Sequence, residues 1–201
     1  MANYKAIWKH EVQQANQIAT SLLEDKKVKL NWKILLLPVF LNDYIRFRKN
    51  LRFTRKNLLF TKKLAFEAAK NISRGKQRAW EIRQIEIKTK EILDKEKKGF
   101  YTEKIRRKQL PEIELLLNHY LDLFDTNQSK YAAILKAKYA SRGNYLTFLS
   151  TLHKAEAEVL QASTTSMRKA TKKDRREWFQ KIRQTTKNVR LAEANKIFSQ
   201  K

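Results

Sequence analysis

The sequence predicts an all-α protein, and three features carry that prediction. Only 3 glycines and 2 prolines occur in 201 residues, so turn-forming positions are scarce. Leu, Ile, Ala, Lys, Glu and Gln abound, a composition dominated by helix formers. Finally, Phe40, Tyr44, Phe47, Leu51, Thr54, Leu58, Thr61, Ala65, Ala68 and Ile72 advance by four and three residues in alternation, the spacing of a helix packing seam. The expected architecture is an elongated bundle of about six helices in one domain spanning 1–201, with one long helix over about 39–72.

The elements come in this order. Tyr4, Trp8, Ala15, Ile18 and Leu22 form one helical stripe from Asn3 to about Glu24, interrupted at Glu11. Asp25 to Lys29 is a charged connector, and Asn31 is placed to cap the next helix. Pro38 removes one helical hydrogen bond and disfavours helical geometry at Leu37, so a kink or restart is expected there. A second stripe, Phe53, Phe60 and Leu64, predicts burial against a further neighbour.

Gly75 suits a helix C-cap. From Lys76 to Lys98 a thin apolar line of Ile82, Ile85, Thr89 and Ile92 runs through a charged helix. Glu86 to Lys90, Glu91 to Lys95, Asp94 to Lys98 and, later, Glu103 to Arg107 are spaced as supporting ion pairs. Gly99 is a break, and Pro111 is expected in the first turn of a new helix ending near Phe124. Two more helices are predicted, Ser129 to Arg142 ended by Gly143, and Asn144 to about Ala162, with Tyr131, Leu135, Tyr139, Tyr145, Leu149 and Leu152 as core stripes. Thr171 to Asp174 resembles a capping box before a last helix lined by Trp178, Ile182, Thr185, Val189, Ile197 and Phe198.

Charge divides the chain into three zones. Residues 26–108 are basic, with a net charge of +11 between Lys26 and Lys63 alone; 109–160 are near neutral at −1; and 161–201 carry +9. The middle zone is the expected core-forming part. A total of +25 repels itself in a compact fold and points to a polyanionic partner, nucleic acid or an anionic membrane surface.

Several chemistries are excluded by what the chain lacks. Without cysteine there are no disulfides, thiol nucleophiles or Cys-ligated zinc. Gly75, Gly99 and Gly143 are isolated, so no glycine-rich phosphate loop can be written, and no Ser sits in a G-x-S-x-G elbow. Glu112, Glu114 and His119, with His153, Glu156 and Glu158, are the residues that could build a helical metal site. His153 precedes Glu156, and Glu114 and His119 lie five apart, so the Glu-x-x-His pattern of di-metal bundles fails. Surface pairs or hydrogen-bonded core histidines are expected instead, and His10 has no partner pattern. No catalytic residue, metal or cofactor is predicted.

The apolar run Ile34 to Leu41 is far shorter than the roughly 20 residues of a spanning helix. Flanked by aromatics and bases, it predicts an interfacial wedge with membrane contacts at Trp32, Lys33, Leu36, Leu37, Phe40 and Tyr44. Arg48, Lys49, Arg52, Lys56 and Lys63 are the expected anion-binding face. The leading expectation is thus a non-enzymatic protein held peripherally on an anionic lipid surface. The alternatives are nucleic-acid binding by the same bases, although no helix-turn-helix or RNP-type motif is present, and a helical scaffold whose seam pairs with a protein partner or a second copy. Burial of Ile34 to Leu41 in a core is the competing account of the wedge. With no signal-peptide apolar region after Met1, Ala2 where myristoylation needs Gly, and no prenylation box at Ser199 to Lys201, the expected location is cytoplasmic, including a membrane's cytoplasmic face.

Overall fold

The computed structural model describes residues 2–24, 49–96, 101–164 and 171–199. The kink at Pro38, the cap at Asn31 and the break at Gly99 lie outside the described residues, as do Trp32, Lys33, Leu36, Leu37, Phe40, Tyr44 and Arg48. Among the described residues there are helices and no strands. They are α1 (Ala2–Glu24), α2 (49–58), α3 (Phe60–Ile72), α4 (Arg78–Lys95), α5 (Glu103–Phe124), α6 (Tyr131–Tyr139), α7 (Arg142–Thr164) and α8 (Lys172–Ser199).

The long helix anticipated from the seam is present from residue 49 onward, divided at Leu59. The division is slight: Leu59 keeps right-handed helical angles, its N–H donates to Arg55 O (3.0 Å), and Lys63 N–H donates to Leu59 O (2.8 Å). Gly75 does end this segment, at φ +92°. Its N–H donates to Ile72 O, and that of Lys76 reaches back to Asn71 O, satisfying the last carbonyls as an αL cap does.

Five expectations are corrected. Pro111 is not in a first turn but inside α5, whose true N-cap is Thr102, its side chain accepting from Ile105 N. A proline there removes the donor to the carbonyl four residues back and crowds that carbonyl, and the buried contacts of α5 on both sides hold the helix through it. Gly143 does not end α6. Ala140 does, at φ 58°, and Gly143 falls in the first turn of α7. Phe53 is not buried against a neighbour but 67% exposed, while Phe60 and Leu64 are half-buried. Ile92 is also exposed, so the buried side of α4 narrows to Glu81, Ile85 and Thr89, and Lys90 pairs with Asp94 (3.2 Å).

The core forms around α5, which packs against α1, α3, α4, α6 and α7, while α8 packs against α1, α6 and α7. Ile113, Leu116, Leu117, Tyr120 and Leu123 of α5 are buried, and Ile7, Phe66, Ile134, Leu135, Leu152 and Ile197 converge on them. Most of these lie in the near-neutral zone, where few charges need solvation. A smaller cluster joins Ile18 and Leu22 of α1 to Val189 of α8, with Leu58 of α2 against it. This second contact fixes α2 on the outside of the bundle, one side inward and the other toward solvent.

Candidate functional site

Two features stand out, one on the surface and one at the centre. On α2, Lys49, Arg52, Phe53 and Lys56 are exposed and fall within an arc of about 100° around the helix. Among the described residues, Lys49, Arg52 and Lys56 have no acidic partner. Lys63, further along on α3, is exposed too but lies 3.7 Å from Glu67. Arg55 turns inward, donating from Nη1 to Asn16 Oδ1 of α1 (3.3 Å). Of the five predicted anion-binding residues, three therefore share one unpaired face, Lys63 is partly neutralised, and Arg48 lies outside the described residues.

At the centre, the sequence-based site expectations touch only Glu112 and Glu156, named there as candidate metal ligands. Lys62 is only 5% exposed, and its ammonium meets Glu11 Oε2 and Gln14 Oε1 (3.2 Å). The other Glu11 oxygen accepts from Tyr120 Oη at 2.9 Å. Arg190 of α8 grips Glu156 of α7 with two bonds of 2.6 Å, and Thr61 donates to Glu112 Oε1 at 2.6 Å. Gln14 Nε2 reaches Glu193 (2.6 Å), which also meets His10. Side chains of α1, α3, α5, α7 and α8 are thereby joined through polar contacts inside the bundle.

The electrostatics of this network follow from burial and pairing. Burial alone raises the Glu11 pKa, but the Lys62 ammonium, with hydrogen bonds from Lys62 and Tyr120, outweighs it and holds the carboxyl down at about 2. Glu156 is likewise raised by burial but lowered overall by Arg190. Glu112 has no such grip: burial and the neighbouring Glu156 push it up to about 7. Two cations thus face two carboxylates and a third carboxyl that keeps its proton up to neutrality, which spares the interior an unbalanced charge.

Of the candidate metal-binding residues, Glu112 and Glu156 are neighbours in the ionic centre, and the other four have partners of their own. His119 is buried, hydrogen-bonded through Nδ1 to Tyr139 Oη (2.7 Å) and stacked on Phe148 at 4.1 Å; burial lowers its pKa to about 4. His153 meets Arg183, Glu114 meets Arg78 (3.4 Å), and Glu158 meets Lys108 (2.8 Å). Among the described residues no three His, Asp or Glu side chains converge to hold a metal ion. His10, without a pattern in the sequence, stacks on Tyr131 at 3.6 Å.

A signal for the centre is present in the chain. Glu11 interrupts the apolar stripe of α1 because it lies on that stripe. Lys62 has Leu58, Ala65 and Ala69 at four back, three on and seven on, a core position by spacing. A charge in such a register is read as an irregularity until its partner, 51 residues away, is known.

These features define a class: an all-α bundle with a buried ionic centre and a separate, unneutralised basic face. No described helix is long and apolar enough to cross a membrane. Compared with protein-family models, with curated proteins and with solved structures, the chain matches none.

Proposed function

We propose that this protein is a non-enzymatic, peripheral binder of an anionic membrane surface, using the apolar run 34–41 and the basic face that comes after it. The observation that supports this reading is the α2 surface: Phe53 exposed among Lys49, Arg52 and Lys56, with no acidic partner for the three bases among the described residues. An aromatic ring beside cations is the residue combination of interfacial segments. Each base close to an anionic leaflet contributes about 1 kcal/mol, so these three supply about 3 kcal/mol. The ionic centre supports the non-enzymatic part of the reading, because Glu11 and Glu156 are held by Lys62 and Arg190.

The test is co-sedimentation with anionic and with neutral vesicles at low and high salt. Replacing Arg48, Lys49, Arg52 and Lys56 by Gln should weaken binding to anionic vesicles only, and mainly at low salt. Phe53→Ser should weaken it while leaving the melting temperature unchanged, since the ring is exposed. Leu36→Asp should abolish it with helicity intact. A folded Leu36→Asp protein that binds vesicles at full strength would refute the wedge. Early melting of that variant, at a cost of about 3 kcal/mol or more, would put the run in a core. If the Gln variant instead lowers the salt slope of RNA or DNA binding by about one for each phosphate no longer neutralised, nucleic acid is the partner.

A further inference from the structure

A cleft of about 870 Å³ lies between α7 and α8, within the size range of small-molecule sites. Leu146 and Leu149 of α7 and Leu191 of α8 form its apolar wall, and His153, Arg183 and Lys187 stand along its edge. No Asp or Glu lines it among the described residues. Leu191 is 36% exposed, an apolar side chain left facing this concavity rather than the core.

The cations here are not equivalent. Arg190, at the base, is engaged bidentately by Glu156. Among the described residues Arg183 has only neutral partners: its Nε donates to His153 Nε2 at 3.4 Å, and its guanidinium lies 5.5 Å from the centre of the Phe179 ring. Burial, with Arg183 and the other nearby cations, lowers the His153 pKa against the opposing pull of Glu156, so the imidazole accepts this bond as a neutral ring. Lys187 is exposed and has no acidic partner among the described residues. Two uncompensated cations beside three leucines match a ligand with one charged end and one apolar end. Lys181 and Arg190 of α8 also line the cleft, but Arg190 is held by Glu156, and the three leucines give the cleft an apolar side that a polyanion would not use.

We propose that this cleft binds one single-chain amphiphile with a carboxylate or phosphate head, the head on Arg183 and Lys187 and the chain along Leu146, Leu149 and Leu191. The proposal is independent of the membrane reading, since it involves neither the run 34–41 nor α2.

Titration calorimetry of the full chain with dodecanoate and with dodecyl phosphate, below their micellar concentrations, tests it. Dodecanol and inorganic phosphate serve as the tail-only and head-only controls. At least one of the two anionic amphiphiles should bind at one per chain, and the preferred one identifies the head. Dodecanol should bind roughly tenfold more weakly, the loss expected for a charge-assisted contact, and inorganic phosphate should give no saturable heat. Arg183→Gln with Lys187→Gln should erase the preference over dodecanol, and Leu191→Asp should abolish binding, with circular dichroism unchanged in both because the altered side chains are exposed. Arg52→Gln with Lys56→Gln should bind the amphiphile as the wild type does, even if vesicle binding is lost. Unchanged affinity in the Arg183/Lys187 variant, many molecules bound per chain, inorganic phosphate binding as tightly as dodecyl phosphate, or displacement of the amphiphile by a single-stranded oligonucleotide at equal affinity would each overturn it.

Discussion

Lys62 holds its charge in the interior only because Glu11 holds the opposite one. Glu11→Gln leaves the ammonium with neutral acceptors, and breaking a buried pair in this way costs about 3–5 kcal/mol. Adding Lys62→Met to it removes the second charge while the amide at position 11 still accepts from Tyr120, so most of that loss should be recovered. Urea denaturation of the two variants decides this; a single variant within about 1 kcal/mol of wild type would mean that the pair is solvated. Glu112 gives a separate pH signature. Its folded pKa, about 7, lies above the ordinary 4.5, so its proton-linked stability is complete below about 4.5 and is lost as pH rises through about 7. Glu112→Gln, which can still accept from Thr61, should flatten the fall in melting temperature across that window and melt higher than wild type at pH 8. A variant that melts lower at pH 8 would contradict this. Glu11 works in the opposite direction: with its pKa held near 2, its contribution is present above about 4.5 and lost as pH falls toward 2.

At the level of elements, the short helix α6 carries a local cost. Ala140 ends it at φ 58° and ψ −36°, a conformation that L-residues other than glycine rarely adopt. The turn is held by Asn144 Nδ2 donating to Tyr139 O (2.9 Å) and by Ala140 N–H donating to Lys136 O (2.9 Å). Ala140→Gly should therefore stabilise the protein, by up to about 1 kcal/mol, although alanine is ordinarily the better helix residue. The mirror experiment is Gly75→Ala. At φ +92° a Cβ there meets nothing within 4 Å, so the expected loss of about 1–2 kcal/mol is backbone strain alone. Thermal unfolding of both variants checks the pair, and a destabilised Ala140→Gly would count against the turn. Gly75 was legible because glycine advertises an αL position. The end of α6 was not, because the nearby Gly143 is the residue that turn chemistry nominates, whereas the Asn144 side chain bonded to Tyr139 O holds the turn at Ala140.

For the whole molecule, charge and core act on different scales. Among the described residues most of the charge behind the net +25 sits on side chains that are not buried, where it is screened within about 8 Å at physiological salt, whereas the buried pairs are screened far less. Raising NaCl from about 0.01 to 0.15 M should thus raise the melting temperature by relieving self-repulsion; a fall would mean that surface ion pairs dominate. The helical class and the seam from Leu51 to Ile72 could be read from the chain because they depend on composition and on spacing along one helix. So could the α2 basic face, whose residues are neighbours on a single surface. The ionic centre and the α7/α8 cleft could not. Glu11 of α1 meets Lys62 of α3 and Tyr120 of α5, and Arg190 of α8 meets Glu156 of α7. Spacing fixes which residues share a helix face, but only packing decides which faces meet, and so which of 45 basic and 20 acidic side chains are buried with a partner and which stay exposed.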